Sequence, residues 1–158
     1  MNVPTLATLT AEGKKPEVLF WVGCAGSFDD RAKKITKAFV KILNKAGVAF
    51  AVLGTEESCT GDPAKRSGNE FLFQMQALAN IEVMNAYKVT RIVTTCPHCF
   101  NTLKNEYPSL GGQYEVMHHT SFINKLLKKA VFLLLAAPSR AKESPITTLL
   151  FGSCQSNL

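Results

Sequence analysis

The sequence predicts a three-layer α/β sandwich with a mostly parallel sheet, Rossmann-like or flavodoxin-like, of about four strands with helices on both faces. Three observations lead there. Short apolar runs, Val18–Val22, Val48–Leu53 and Ile92–Thr95, recur along the chain and end in turn residues. Segments with helical apolar spacing lie between them, giving the alternation of strand and helix that builds parallel sheets. Four of the five cysteines, Cys24, Cys59, Cys96 and Cys99, come shortly after one of those runs. In a parallel sheet that is the carboxyl edge, where open α/β sheets bind their ligands.

Residues 1–16 read as an arm, closed by the turn Gly13-Lys14-Lys15-Pro16. The first strand is expected over about 17–23. Ser27, Asp29 and Asp30 suit the cap of a helix over about 29–46. Its apolar positions Ile35, Ala38, Phe39, Ile42 and Leu43 mark the inward face, and Lys45 and Gly47 close it. The second strand is 48–53, followed by a polar loop from Gly54 to Gly68 that carries Cys59. A helix over about 69–87 is expected to turn Phe71, Leu72, Met75, Leu78, Ala79, Val83 and Met84 inward. The third strand is 90–95. Cys96-Pro97-His98-Cys99 opens a short helix to about 106, and a turn follows at 108–112. Tyr114 to Met117 is the fourth strand and 120–129 the last helix. The cysteine-rich α/β domain thus occupies 17–129. The tail 130–158 is atypical, with a break at Ala136-Ala137-Pro138-Ser139 and a candidate short strand at 146–151.

At 158 residues the chain is long enough for one domain with a real core. Its 46% apolar and 19% charged content is that of an ordinary globular protein. The longest apolar run, Ala130 to Ala137, is far short of the roughly 18 residues of a membrane span. The amino terminus lacks the pattern of a signal peptide. A cytoplasmic location is expected, where thiols stay reduced and serve metals or redox chemistry. The net charge of +6 comes from lysines spread over two expected helices, Lys33, Lys34, Lys37, Lys41 and Lys45, then Lys125, Lys128 and Lys129. They read as solvated faces, with docking of an acidic redox partner as the lesser reading. No aromatic-interleaved basic stripe suggests nucleic acid.

Thirty-four residues separate Cys24 from Cys59, and thirty-six separate Cys59 from Cys96. Each gap holds one helix and one strand, so each cysteine returns to the same end of the sheet. A CxxC supplies two thiolates to one ion or cluster, and free amides at a helix start favour the thiolate form. Gly23, Gly26 and Gly61 allow close backbone approach. A [4Fe–4S] cluster and a zinc ion both suit four thiolates. Buried, unrelated cysteines and a redox dithiol of Cys96 and Cys99 alone are the other readings. The dithiol leaves Cys24 and Cys59 unexplained, and replacing Cys24 would spare it. Cys154 reads as a bystander. His98 is expected to be exposed beside the site without ligating. His118 and His119 fall on the same edge, one as a packed or capping residue, the other as a tuner of the cluster or proton carrier. Trp21 reads as core.

Gly23-Cys24, Ser58-Cys59-Thr60-Gly61 and Thr95-Cys96-Pro97-His98-Cys99 together resemble the cysteine-rich CCG domain of heterodisulfide-reductase-related iron–sulfur proteins, over about residues 3–128. The segments Phe20–Gly26 and Glu56–Pro63 look like its bacterial (Fe–S)-binding subgroup. The resemblance implies an iron–sulfur redox subunit in a heterodisulfide-reductase-like or 2-hydroxy-acid oxidoreductase system. It implies Cys24, Cys59, Cys96 and Cys99 as ligands and a ferredoxin-type or flavoprotein partner. The resemblance favours an electron-transfer component over a complete enzyme and leaves catalysis by this chain alone open. Two departures stand out. Ser58 replaces the first cysteine of a Cys-Cys-Gly element, leaving four thiolates where the family can use five for a noncubane cluster; serine ligation and zinc stand as alternatives. The family usually carries two such domains, and the sequence after Lys129 does not read as a second, so truncation or a frame change near residue 130 is the expectation.

Overall fold

A computed structural model describes residues 3–136, with side chains through Ala130. The expected strand at 146–151 and Cys154 lie outside the described residues. The chain runs α1 (Leu6–Ala11), β1 (Val18–Trp21), α2 (Gly23–Phe28), α3 (Asp30–Lys45), β2 (Phe50–Ala51), α4 (Asp62–Arg66), α5 (Glu70–Ala86), β3 (Arg91–Thr94), α6 (Pro97–Asn101), β4 (Glu115–His118) and α7 (His119–Ala136). The four strands form one parallel sheet in the order β2-β1-β3-β4. This is the three-layer α/β fold expected.

Each strand sends alternate side chains to opposite faces. Val18 and Phe20 join Phe39, Val40, Leu43 and Phe122, so α3 and α7 cover one face. Leu19 and Trp21 join Phe73, Ala77, Ile81, Met84 and Tyr107, so α5 and the turns after α6 cover the other. Strands buried on both sides need no polar alternation, which is why their sequences are continuous apolar runs. α3 begins where Asp29 accepts a 2.7 Å hydrogen bond from the Ala32 amide, a side-chain cap for an otherwise free N–H. α5 begins likewise, with Asn69 accepting from the Leu72 amide at 3.1 Å.

Several expectations change. The described part of the segment read as an arm, residues 3–16, is folded onto the sheet. Thr5 bridges Val52 in parallel, and Leu6, the first residue of α1, is 2% exposed. β2 shortens to Phe50–Ala51, and the polar loop after it contains a 3₁₀ turn at Gly54–Glu56 and α4. Of the inward face expected for α3, Phe39 and Leu43 are buried, but Ile35 and Ala38 are exposed and Val40 is buried instead. The last helix continues past 129 to Ala136.

The largest correction concerns α5. Met84 is buried as expected, but Phe71, Leu72, Met75 and Leu78 face outward, and Phe73, Ala77, Asn80 and Ile81 face the core. The helix is apolar almost all round, so its pattern does not set its rotation. A buried asparagine does: apolar counting places Asn80 outside, whereas its amide is needed inside. Truncating Phe73 to alanine is expected to cost about 3–5 kcal/mol, as for a fully buried aromatic. Phe71→Glu should change stability by about 0.5 kcal/mol or less, as for an exposed position. Urea unfolding of the two variants checks the assignment; comparable losses would contradict it.

Candidate cofactor site

The sheet order puts a topological switch between β1 and β3, whose chains depart to opposite sides of the sheet. Cys24 follows β1, Cys96 follows β3, and Cys59 follows β2, the neighbour of β1. The site is therefore built from three loops at one edge.

Gly23 joins two of those loops. Its φ of +76° lies in the left-handed region, and a Cβ there would stand 3.1 Å from Cys99 Sγ. Only a residue without a side chain lets the Cys24 turn close on Cys99 in this way. Cys24 itself is exposed, Cys59 and Cys96 are half-buried, and Cys99 is buried. Burial, then repulsion from the Cys59 and Cys96 thiols, pushes the Cys24 thiol up. Cys59 and Cys96 thus lie close enough to Cys24 to act on it electrostatically.

Cys96 precedes the first turn of α6 in extended conformation, at the end where the amides of that turn are free. The Cys99 thiol donates to Cys96, and the His98 and Cys99 amides add to this; together they outweigh burial and lower Cys96 to about 5. The same hydrogen bond, with burial, pushes Cys99 strongly up. Thr60 Oγ1 stands 3.9 Å from Cys99 Sγ and is placed to donate to it.

Sequence reasoning missed four residues that hold these loops. Glu57 accepts hydrogen bonds from the Gly23 amide at 2.6 Å and the Val22 amide at 3.1 Å, tying the Cys59 loop to the Cys24 turn. Desolvation raises its carboxyl to about 7 against those two donors. Asn80 and Tyr107, both buried, and Thr60 complete the support of the Cys59 segment. Asn80 carried a readable signal, an amide between the apolar residues Leu78-Ala79 and Ile81, where asparagine is a poor helix residue. The other three carried none.

His98 is exposed, with Nδ1 3.1 Å from Asp62 Oδ2. Asp62 is held below the usual carboxylate range: burial opposes its charge, but hydrogen bonds from Arg66 and Thr102 prevail. His118 contacts the carbonyl of Thr95 through Nε2 at 3.2 Å and Thr120 Oγ1 through Nδ1 at 2.8 Å. A carbonyl only accepts, so Nε2 carries the proton. His118 thereby braces the residue before Cys96. His119 packs edge-on against Phe39 and is lowered by burial and by His118.

A cavity of about 430 Å³ opens between the Cys24 and Cys59 loops, lined also by Ser27, Phe28, Glu57 and Ser58. Among the described residues no three or more Cys, His, Asp or Glu side chains stand in an arrangement that holds a single metal ion. A mononuclear zinc site needs all four sulfurs at about 2.3 Å from one centre. A polynuclear cluster places inorganic sulfide between its metals and spans more widely separated thiolates. The donor set is soft and all sulfur, which suits iron–sulfur clusters and zinc over hard cations. The close approach of Gly23 to Cys99 and the cavity beside Cys24 and Cys59 leave room for a cluster.

A doubly wound α/β domain with thiols gathered at its switch edge is the class of protein that fold and site define. Residues 18–104 match the model of the CCG cysteine-rich domain, and the chain belongs to that family. It is 52% identical over 119 residues to the EtfAB:quinone oxidoreductase of Syntrophomonas wolfei, covering 75% of this chain and 17% of that protein. It is 49% identical over 127 residues to the probable iron-sulfur-binding oxidoreductase FadF of Bacillus subtilis, covering 80% and 18%. A dihydromethanophenazine:CoB--CoM heterodisulfide reductase component of Methanosarcina acetivorans is 31% identical over 123 residues, covering 73% and 29%. The chain thus spans less than a third of the length of these curated relatives. No solved structure matches it.

Proposed function

We propose that this domain is an iron–sulfur electron-transfer module whose cluster, of [4Fe–4S] type, is held by Cys24, Cys59, Cys96 and Cys99. The observation that carries the reading is the gathering of thiols from three separate loops at the switch edge, with the Cys96 thiolate favoured by the Cys99 thiol and backbone amides. The names of the relatives support it, since oxidoreductase and reductase recur among them and one is described as iron-sulfur-binding.

When bound, the cluster would supply one-electron redox chemistry. The chain's own residues hold and shield it. Cys99 and Thr60 lie on the buried side, Cys24 on the exposed side toward a partner. Glu57 keeps the Cys24 and Cys59 loops in register through the Val22 and Gly23 amides. The partner is a redox subunit, of ferredoxin or flavoprotein type, and this chain is an electron-transfer component rather than a complete enzyme. No helix among the described residues is long and apolar enough to cross a membrane. A cytoplasmic site of action suits four reduced thiols.

A structural zinc ion is the weaker reading, because the names of the relatives speak of oxidoreduction and, in one case, of iron–sulfur binding. The test is a visible spectrum of chain purified without oxygen. A broad charge-transfer band that bleaches with dithionite supports the cluster, whereas a colourless protein contradicts it.

A further inference from the structure

The geometry points to Asn80 as the positioning residue for Cys59, and to Ser58 as its hydrogen-bonding partner rather than a cluster ligand. Asn80 is 2% exposed and uses both ends of its amide on one short segment. Its Oδ1 accepts from the Ser58 hydroxyl at 2.9 Å and lies 3.4 Å from the Ser58 amide. Its Nδ2 donates to the Cys59 carbonyl at 2.9 Å and to the Tyr107 hydroxyl at 3.2 Å. Tyr107 in turn donates to the Thr60 carbonyl at 3.2 Å. Thr60 Oγ1 then stands 3.9 Å from Cys99 Sγ.

The donor directions form one consistent chain. A carbonyl only accepts, so the Asn80 NH₂ faces Cys59 and the Tyr107 hydroxyl hydrogen faces Thr60. That leaves Asn80 Oδ1 as an acceptor, which the Ser58 hydroxyl hydrogen satisfies. Ser58, Cys59 and Thr60 are therefore latched at three consecutive residues from the core side. A buried asparagine in an apolar helix is costly unless its amide is used, and here every polar end is used. To ligate a metal, the Ser58 oxygen would lose its proton, leaving Asn80 Oδ1 without that donor. The latch thus accounts for serine beside Cys59 with four thiolates as the complete ligand set.

The Asn80 part needs no cofactor; the Ser58 part rests on the cluster reading. The first test alkylates the cofactor-free full chain with iodoacetamide and follows each cysteine by peptide mass spectrometry. Asn80→Ala should raise the Cys59 rate about tenfold, the effect of losing about 1.4 kcal/mol of local ordering. The rate at exposed Cys24 should stay unchanged. An unchanged Cys59 rate overturns the inference. If Asn80→Ala unfolds, buried Cys99 will label with the rest, and Tyr107→Phe then carries the test. It deletes both the bond to Thr60 and the one accepted from Asn80, and should raise Cys59 alone; uniform labelling or no change counts against the latch. The second test reconstitutes Ser58→Ala with iron and sulfide without oxygen. The same iron content and visible spectrum as the unaltered chain support the partner role, and lost iron or a shifted band overturns it. If the unaltered chain takes up no iron, the cluster reading and the Ser58 part fail, while the Cys59 labelling still decides the role of Asn80.

Discussion

Gly61→Ala is expected to destabilise the domain by about 2–5 kcal/mol, the sum of left-handed backbone strain and overpacking. Gly61 has φ +85° and follows Cys59 by two residues. A Cβ built there stands 2.8 Å from Phe73 Cδ2 and 3.2 Å from the Phe73 carbonyl oxygen. Rotation of a free ring would relieve the contact with the aromatic edge, but Phe73 is buried and its backbone belongs to α5. The start of α4 must therefore retreat from α5, and the Cys59 segment with it. Gly68→Ala separates the two effects. Its φ is +82°, and nothing lies within 4 Å of the built Cβ. It should cost only the backbone strain, about 1–2 kcal/mol. Equal unfolding midpoints for the two variants would show that the contact with Phe73 is not tight.

Cys99→Ala is expected to abolish cofactor retention while the domain still folds. Cys99 is buried, beneath Gly23 and beside Thr60, so no neighbouring cysteine can take its place. The small cavity left behind should cost about 1–2 kcal/mol, within the ordinary range of core substitutions. Cys24→Ser should lose the cofactor as well, although Cys24 is exposed and its replacement should barely change stability. The pair distinguishes two chemistries. A dithiol made of Cys96 and Cys99 tolerates the change at Cys24 and fails at Cys99; a cluster fails at both. Iron content and circular dichroism of the two variants check this together.

Much of this architecture is legible from residue order. The apolar runs and the helices between them specify a parallel sheet, and regular cysteine spacing returns each thiol to one edge. That logic depends only on chain length per unit and survives errors in element ends. The rotation of α5 was not legible, because Phe71, Met75 and Leu78 are as apolar as Phe73 and Ile81 and no periodicity separates them. Residues 3–16 are held by the bridge between Thr5 and Val52, by its neighbouring backbone hydrogen bonds and by buried Leu6, a pairing between distant segments that local pattern does not reveal. The cysteines were readable as a set, whereas their supports were not. Glu57, Asn80 and Tyr107 act through backbone groups 21 to 47 positions away, so their roles exist only once the chain is folded.

The outward face of α5 remains apolar at Phe71, Leu72, Met75 and Leu78. Nothing in the described residues covers it, and it lies on the opposite side of the sheet from α3 and α7.

Iron and acid-labile sulfide, assayed per chain on protein prepared without oxygen, test the central claim most directly. About four of each are expected, as for one [4Fe–4S] centre on four thiolates. One zinc per chain with no sulfide would contradict it.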